Sequence, residues 1–408
     1  GTSYELEARY VCEQCFGPLE VAYDHDGLAD DRDALRRRIQ AGPQNIWRYS
    51  DFLPLEAPPG PSSRVLSRVG LPAGCTPLIR ADRLAERLGL GEVWVKNDAH
   101  NPTHSFKDRV VAVASQRARE LGFDTLACAS TGNLANAVAA QAAALGLPSY
   151  VFIPADLEEQ KILGTGVYGT SLVKVRGTYD DVNRLCTEIS GERERWAFVN
   201  VNMRPYYAEG SKTLAYEIAE QLGWRLPDNV VIPVASGSQL TKIDKGFQEL
   251  IKLGLVEEKP YRIFGAQAAG CAPVSAAFKA GHDVVRPVRP DTIAKSLAIG
   301  NPADGPYVLD IARRTGGAVE DVTDEEIVDA VHLLARTEGI FAETAGGVTV
   351  GVLRKLVADG RIDPDAETVV LNTGDGLKTL DAFSAGARPT ATIRPSLDAF
   401  RAAFPDNS

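Results

Sequence analysis

The sequence predicts an α/β protein of two domains, with parallel-rich sheets flanked by helices. Strand-like and helix-like segments alternate along the chain, most clearly over residues 125–153, where an Ala-rich helical run ending at Gly146 separates two apolar runs. The 408 residues are too many for one simple hydrophobic core. A composition with 44% hydrophobic residues, 24% charged residues and 37 glycines is typical of soluble α/β enzymes.

Net charge and cysteine spacing indicate which partners and which cellular location to expect. A net charge of −10 argues against a nucleic-acid surface, although it allows a local basic pocket for a small anionic substrate. No apolar run is long enough to cross a bilayer, and no signal peptide is recognisable. Of the six cysteines only Cys12 and Cys15 are close together, which is typical of proteins in the reducing cytoplasm. We therefore expect a cytoplasmic protein without nucleic-acid or membrane partners.

Cys12 and Cys15 form a C-x-x-C pair followed by Gly-Pro-Leu, which resembles one knuckle of a zinc ribbon. A ribbon needs a second pair to complete four ligands, and none follows at a suitable spacing. The resemblance implies that a first pair lies just upstream of Gly1. Two ligands rarely hold Zn²⁺, so the prediction here is a half-site without metal, with a pair of free thiols as the alternative.

Lys107 lies in the stretch N-P-T-H-S-F-K-D-R, between a strand-like run that ends at Lys96 and an amphipathic run that starts at Val110. Ser105 and Asp108 have the S-x-x-D spacing of a capping box, which predicts a helix starting at Ser105. Lys107 would then lie in the first turn, where the positive end of the helix dipole disfavours an ammonium. A neutral amine is a nucleophile, so Lys107 is a candidate catalytic residue. The alternative is an ordinary surface lysine.

Two further loops each join a strand to a helix. The sequence S-T-G-N at residues 130–133 places backbone N–H groups at a helix N-terminus, where an anion is stabilised. The sequence A-S-G-S-Q at residues 235–239 follows a strand and precedes a helical run, and its small residues let the backbone curl around a phosphate. Each loop has a plain alternative, which is an ordinary helix cap or turn.

These segments occur in an order that resembles the threonine synthase family of pyridoxal-phosphate enzymes. S-F-K-D-R after N-P-T, then S-T-G-N, then V-N-V-N-M-R with G-S-K-T, and finally T-G-D-G-L-K follow one another as in that family. The resemblance covers residues 10–383, and the joint match is specific even where each motif is weak. It implies fold type II, the fold of tryptophan synthase β, with pyridoxal phosphate bound between two domains.

The resemblance also implies roles for single residues. Lys107 would be the catalytic residue and hold the cofactor as a Schiff base, Asn133 would meet the ring hydroxyl, and Thr373 would meet the pyridine nitrogen. The family's phosphate loop is rich in Gly and Asn, and this chain departs from it while keeping serines that can donate to a phosphate. Expected cofactor contacts in that loop are Ala235, Ser236, Gly237, Ser238 and Gln239. Expected substrate contacts are Ser130, Thr131, Gly132, Asn200, Asn202, Arg204 and Lys212. Residues expected beside the cofactor are Ala298, Ile299, Gly300 and Glu343, the last with a more structural role.

The function implied by the resemblance is that of a lyase converting O-phospho-L-homoserine and water to L-threonine and phosphate. Basic Arg204 and Lys212 favour a phosphorylated substrate over serine or threonine. Alternatives within the same chemistry are a threonine dehydratase and a β-replacement synthase such as cysteine or cysteate synthase. An alternative of another class is a cofactor-free binding protein, which leaves Lys107, Asn133 and Thr373 unexplained together. Relatives are often dimers, so we expect a homodimer.

The expected domain arrangement is discontinuous in sequence. Residues 1–24 would form the partial zinc-ribbon-like segment, and residues 386–408 a C-terminal tail. Residues 25–109 and 224–385 would together form the large domain. Residues 110–223 would form the small domain and close over the cofactor.

Overall fold

Two sheets organise the chain. The computed structural model describes residues 2–15, 17–25, 31–55, 70–130, 132–155, 157–383 and 388–405. In chain order the strands of these residues are β1 (Leu78–Arg80), β2 (Val93–Asn97), β3 (Thr125–Ala129), β4 (Ser149–Pro154), β5 (Ser171–Val175), β6 (Trp196–Phe198), β7 (Asn229–Pro233), β8 (Arg262–Ala268), β9 (Ala318–Val322) and β10 (Thr368–Asn372). One sheet has the order β1-β2-β10-β7-β8-β9 and the other the order β5-β4-β3-β6.

Both sheets are parallel apart from β1, which pairs antiparallel with β2. All five residues of β3, of β7 and of β10 are buried. Apolar runs of this kind are expected for parallel strands that are covered by helices on both faces. The predicted α/β class with parallel-rich sheets and flanking helices is therefore confirmed.

Helices cover both faces of the sheets. They are α1 (Arg32–Gln40), α2 (Asp82–Leu88), α3 (Lys107–Glu120), α4 (Asn133–Leu145), α5 (Glu159–Gly166), α6 (Tyr179–Glu192), α7 (Arg204–Glu209), α8 (Lys212–Gln221), α9 (Ser238–Lys252), α10 (Pro273–Lys279), α11 (Gly305–Arg314), α12 (Asp324–Glu338), α13 (Thr344–Ala358) and α14 (Leu397–Ala403). Within the described part of the chain, no helix has the length and apolar character needed to cross a membrane. The C-terminal helix α14 has no buried residue.

Local sequence explains where several of these helices begin and end. Thr323 and Glu326 form a capping box in which each side chain bonds the other's backbone N–H, and α12 starts there. The same helix ends at Gly339, which adopts the left-handed conformation at a φ of 69°. Helix α4 ends in the same way at Gly146, as its sequence predicts.

The predicted start of α3 is wrong. The helix begins at Lys107, and the preceding Phe106 makes no side-chain cap. Ser105 is instead bridged to Gly374 in extended backbone, and the Asp108 carboxylate accepts hydrogen bonds from the backbone N–H and the hydroxyl of Thr103. Tertiary pairing therefore overrides the local capping signal, although Lys107 still occupies the first turn.

The four-stranded sheet comes entirely from the range 110–223 that was expected to form a small domain. Helix α8 lies in the same range, yet its Leu214 and Ile218 pack in one hydrophobic cluster with Val230 and Ile232 of β7, in the six-stranded sheet. The division of the chain at residue 223 remains a prediction, and α8 packs on the large-sheet side of that boundary.

The C-x-x-C pair lies in a tight turn that is closed by a bridge between Val11 and Pro18. Cys12 is buried, Cys15 is exposed, and both are free thiols. The Tyr4 hydroxyl lies 3.2 Å from the Cys12 sulfur, and this contact, with the N–H groups of Cys15 and Gln14, lowers the pKa of Cys12 to about 7. In the described ranges no group of three His, Cys, Asp or Glu side chains is arranged to hold a metal ion.

A buried network of charges lies beneath the Lys107 segment. The Arg109 guanidinium donates to both oxygens of Asp98 and to both oxygens of Glu217, at 2.6 to 2.9 Å. The Lys96 ammonium lies 2.7 Å from Glu217. Burial raises the pKa of Glu217, but Arg109 and Lys96 outweigh it and bring that pKa down to about 2. The network joins β2, α3 and α8 with two positive and two negative charges.

We predict that Glu217→Gln destabilises the protein by about 3 kcal/mol or more. The substitution leaves three charges in the network, and Arg109 and Lys96 would share one remaining carboxylate away from water. Urea unfolding followed by tryptophan fluorescence measures the change. The matched control is Asp82→Asn, which removes the carboxylate of an exposed pair with Arg80 and should leave the midpoint unchanged. Equal midpoints for the two variants would contradict the prediction.

Candidate active site

Polar side chains from both sheets converge where the parallel strands end. Residue 130 follows β3, residue 200 follows β6, residue 235 follows β7 and residue 373 follows β10. Ligand sites of open parallel sheets form at this carboxyl edge. Two adjoining cavities occur here, and both are lined by Lys107. We call them the inner cavity, which contains Thr373, and the outer cavity, which contains Arg204.

The residues expected to hold the cofactor and those expected to hold the substrate separate between the two cavities. The inner cavity is lined by Lys107, Asn133, Thr373, Glu343 and the loop 235–239. The outer cavity is lined by Ser130, Asn200 and Arg204, together with Lys107, Asn133 and part of the same loop. Lys107 therefore lies at the junction, where a group in one cavity can reach a group in the other.

The Lys107 side chain is held at the start of α3. Its Nζ lies 3.0 Å from the hydroxyl of Tyr207, a residue of α7. The loop before it is fixed to the loop after β10, because Phe106 donates its N–H to the carbonyl of Thr373. Burial lowers the pKa of Lys107 from 10.5 to about 8. The negative charge of Glu343 acts in the opposite direction and raises this pKa, but its effect is smaller. A substantial fraction of this amine is therefore neutral near physiological pH.

Asn133 and Glu343 form a pair beside the lysine. The Asn133 amide donates to both oxygens of Glu343 at 2.9 Å. The Asn133 Oδ1 atom is buried and has no hydrogen-bond partner among the described residues. Glu343 in turn donates its backbone N–H to the carbonyl of Gly374, which adjoins Thr373. A buried acceptor without a partner is costly, so this atom is available for a donor on a bound molecule.

The loop 235–239 curls at the N-terminus of α9. Gly237 has a φ of 102°, and a Cβ there would come within 2.7 Å of Val308 and 3.0 Å of Asp304. Only glycine adopts this backbone without strain. The Gln239 side-chain amide and the Ser296 hydroxyl both lack a partner within the described ranges. Helix α9 has 15 residues, so the loop combines free donors with the positive end of a long helix.

The outer cavity contains a paired arginine. Arg204 begins α7, and its guanidinium donates to both carboxylate oxygens of Asp304 at 2.8 and 2.7 Å. The Ser130 hydroxyl accepts from the N–H groups of Gly132 and Ala135, which fixes the loop before α4. Asn200 donates to the carbonyl of Ala129 and to the Tyr179 hydroxyl.

Several predicted contacts are not brought to the cavities. Lys212 is fully buried and is paired with Glu209 at 2.7 Å and Glu249 at 3.0 Å, so the expectation that it reaches a substrate phosphate is wrong. The Asn202 side chain is used by its own turn, where it bonds the backbone of Phe198 and Trp196. Thr131 lies outside the described residues.

The loop around residue 300 and the glycine of S-T-G-N are also corrected in part. Ile299 lines the outer cavity, while Ala298 and Gly300 line neither cavity. Gly132 has a φ of 129°, and a Cβ there would come within 2.2 Å of the Lys161 side chain. Its place is therefore set by the close approach of Lys161, and it is not part of either cavity lining.

Four site residues were missed by sequence reasoning. Tyr207 contacts the Lys107 amine, and its position three residues after Arg204 on one helix face was a usable signal. Tyr179 and Tyr10 line the outer cavity, and Ser296 lines both. Ser296 lies in the same segment as the expected Ala298, Ile299 and Gly300, so its neighbourhood was a usable signal, whereas nothing in the sequence places Tyr10 or Tyr179 at this cavity.

Comparison with known proteins identifies the family. A sequence model described as "Pyridoxal-phosphate dependent enzyme" matches residues 69–374. Threonine synthase of Methanocaldococcus jannaschii is 39% identical over 387 residues, which cover 94% of this chain and 92% of that protein. Threonine synthase of Methanosarcina acetivorans is 37% identical over 400 residues, which cover 98% and 95%. The chain belongs to the threonine synthase family. It is therefore a pyridoxal-phosphate dependent lyase, as its motifs imply.

The fold agrees with fold type II of this family. The processed form of threonine deaminase isoform 2 from Solanum lycopersicum superposes with a TM-score of 0.62. The match covers 91% of this chain and 96% of that chain at 19% sequence identity. At this level of identity the likeness concerns the fold alone.

The residues of the inner cavity fit the family's cofactor. Lys107 offers an amine of lowered pKa, and the loop 235–239 offers free donors and a glycine where a phosphate must approach the backbone. The unpartnered Oδ1 of Asn133 can accept the ring hydroxyl. Thr373, whose side chain is nearly buried, lines the same cavity and offers a hydroxyl to the pyridine nitrogen. Individual contacts to the cofactor remain predictions.

We predict that acetylation of Lys107 in the apoenzyme rises with pH, with a midpoint near 8. The neutral amine reacts, and burial keeps Lys107 neutral about two units below an ordinary lysine. Brief acetylation across a pH series, read by mass spectrometry, gives the midpoint, with exposed Lys174 as an internal reference for the reagent. Glu343→Gln should move the midpoint lower, because the carboxylate raises this pKa. A wild-type midpoint at 10 or above would refute the assignment.

We predict that Gly237→Ala weakens pyridoxal-phosphate binding at least tenfold. The added methyl would clash with Val308 and disfavour the left-handed turn, so the loop could not keep its shape. Absorbance titration of the apoenzyme with the cofactor measures the affinity. Gly360→Ala is the control, because its φ is 66° but an added Cβ meets nothing within 4 Å. Equal affinities in both variants would show that the turn does not shape the cofactor site.

Proposed function

We propose that the protein converts O-phospho-L-homoserine and water to L-threonine and phosphate. The observation that supports this most is the arrangement of two adjoining cavities that meet at Lys107, one suited to the cofactor and one containing Arg204. Relatives named threonine synthase at 39% and 37% identity cover nearly the whole chain, which supports the same reaction.

The inner cavity would hold pyridoxal phosphate, with its phosphate at the loop 235–239 and its ring between Asn133 and Thr373. When bound, this cofactor supplies an aldehyde that joins an amine and a ring that withdraws electrons from the substrate carbons. The protein contributes position, proton transfer and exclusion of water. The close packing of Phe106 against the Thr373 loop keeps the lysine and the ring-facing residues in register.

Lys107 would carry protons during the reaction. An amine whose pKa is about 8 can accept a proton from a substrate carbon and return it to another at neutral pH. The Tyr207 hydroxyl, 3.0 Å from Nζ, orients the amine. Burial raises the pKa of Tyr207 far above neutrality, so its hydroxyl stays protonated.

The outer cavity would hold the two ends of the substrate. The S-T-G-N loop would take the carboxylate at the start of α4, because its Ser130 and Asn133 line the outer cavity and the positive end of the helix stabilises an anion. Arg204 would take the phosphate, because a guanidinium binds two oxygens of a phosphate at once. Asn200 lies beside it. In the reaction the bond between Cγ and the phosphate oxygen breaks and phosphate leaves, Cβ loses a proton and gains the hydroxyl of water, and Cγ gains a proton to become the methyl group.

Three further properties concern location and partners. We propose a cytoplasmic location, which the free thiol state of the cysteines supports. We also propose a homodimer and the absence of a nucleic-acid partner, the latter supported by the net charge of −10.

We predict that Lys107→Ala abolishes both threonine formation and the cofactor absorbance band of the wild type, since no other amine lines the inner cavity among the described residues.

Arg204→Ala should raise the KM for O-phospho-L-homoserine at least tenfold and change kcat less, because it removes binding of the phosphate. Arg184→Ala, at an exposed site on α6, is the matched control.

Three assays on the purified holoenzyme decide between this reaction and its relatives. Phosphate and threonine release from O-phospho-L-homoserine, ketobutyrate release from threonine, and turnover of O-acetylserine are measured in separate samples. Threonine and phosphate in equal amounts support the proposal. Ketobutyrate from threonine without any phosphate release would indicate a dehydratase, and turnover of O-acetylserine alone a β-replacement synthase.

A further inference from the structure

The N-terminal segment, defined here as the described residues 2–15 and 17–25, forms part of the outer cavity. Tyr10 of this segment lines the cavity together with Arg204, Asn200 and Lys107, although about 100 residues or more separate it from each of them in sequence. Tyr10 directly precedes the turn that contains the C-x-x-C pair. The segment is therefore more than a surface extension, since it contributes a side chain to the wall.

Contacts on one side of Tyr10 attach the segment to helices that carry site residues. The carbonyl of Glu7 accepts a hydrogen bond of 2.8 Å from the Tyr206 hydroxyl on α7. The carbonyl of Leu6 accepts one of 2.9 Å from Arg117 on α3. Helix α3 starts at Lys107 and α7 starts at Arg204, so this side is tied to both residues that act in the cavities.

A second attachment follows Tyr10. The carbonyl of Val21 accepts from the Lys245 ammonium at 2.7 Å, and the Tyr23 hydroxyl donates to Glu209 at 2.7 Å. Glu20 also pairs with Lys242. Both attachments include α7, through Tyr206 before Tyr10 and through Glu209 after it, so the segment is held near this helix on both sides of Tyr10 in sequence.

Tyr10 packs on the arginine expected to bind phosphate. The Arg204 guanidinium carbon lies 5.8 Å from the centroid of the Tyr10 ring, within the range of a cation–π contact. Arg204 also donates two hydrogen bonds to the Asp304 carboxylate. A planar guanidinium that lies against an aromatic ring presents its donors in a fixed direction, which matters for binding two phosphate oxygens at once.

We propose that Tyr10 is a positioning residue that orients Arg204 toward the phosphate group of the substrate, and that the N-terminal segment thereby determines specificity for phosphorylated substrates. This inference rests on the proposed function of the outer cavity. It requires the aromatic ring rather than the hydroxyl, because the contact is between the guanidinium and the ring. The role would be seen in binding of phosphate-bearing molecules and not in the proton transfers at Lys107.

The experiment compares three holoenzymes with the wild type: Tyr10→Ala, Tyr10→Phe and the control Tyr307→Ala, which removes a half-exposed tyrosine on α11. We expect Tyr10→Ala to raise the KM for O-phospho-L-homoserine about tenfold while kcat stays within twofold, and Tyr10→Phe and Tyr307→Ala to match the wild type. Inorganic phosphate should inhibit Tyr10→Ala about tenfold more weakly. Binding of L-threonine, which has no phosphate, is followed through the cofactor absorbance and should be unchanged.

The outcomes separate this inference from the proposed function. If the wild type forms threonine but Tyr10→Ala has an unchanged KM and unchanged inhibition by phosphate, the positioning role is refuted and the function stands. If Tyr10→Ala loses L-threonine and phosphate binding equally, or if Tyr10→Phe behaves as Tyr10→Ala, the ring does not act through Arg204 and the inference fails. If the wild type forms no threonine, the function fails, and binding of inorganic phosphate measured by calorimetry still decides the role of Tyr10.

Discussion

The structure depends on keeping one amine away from water at a point that several loops reach together. Lys107 has a pKa of about 8 because burial disfavours its charged form. The segment that carries Lys107 is held in place by a buried ion network in which the charges of Arg109, Asp98, Glu217 and Lys96 balance one another. The backbone of the same segment also pairs with the loop after β10.

Much of the framework could be predicted because its signals are local. The strand over 125–129 and the helix ending at Gly146 follow from apolar runs and a terminating glycine, and the structure has them at these bounds. The start of α3 could not be predicted, because Ser105 pairs with a residue some 270 positions away. Capping signals state what a segment prefers alone, and a distant strand end can overrule them.

In the candidate site, the sequence could not show which of two basic residues lines the cavity. Arg204 and Lys212 are close in sequence and both looked suited to a phosphate. Helix α7 directs Arg204 into the outer cavity, while Lys212 begins the next helix and is enclosed by Glu209 and Glu249. Residue type predicts that a cation needs an anion, but only packing decides whether that anion is a ligand or a neighbouring carboxylate. Tyr10 was beyond reach for a related reason, since no local pattern links it to Arg204.

The pairing of Arg204 with Asp304 has a consequence for the end of each catalytic cycle. A guanidinium that holds an inorganic anion in a sheltered site would be left with an unneutralised charge on release, which slows departure of the product. Here a carboxylate on the neighbouring loop stands ready to take the anion's place. If Arg204 binds the phosphate as proposed, this exchange would keep its charge balanced when the ester binds and when inorganic phosphate leaves, which would favour rapid release of the product.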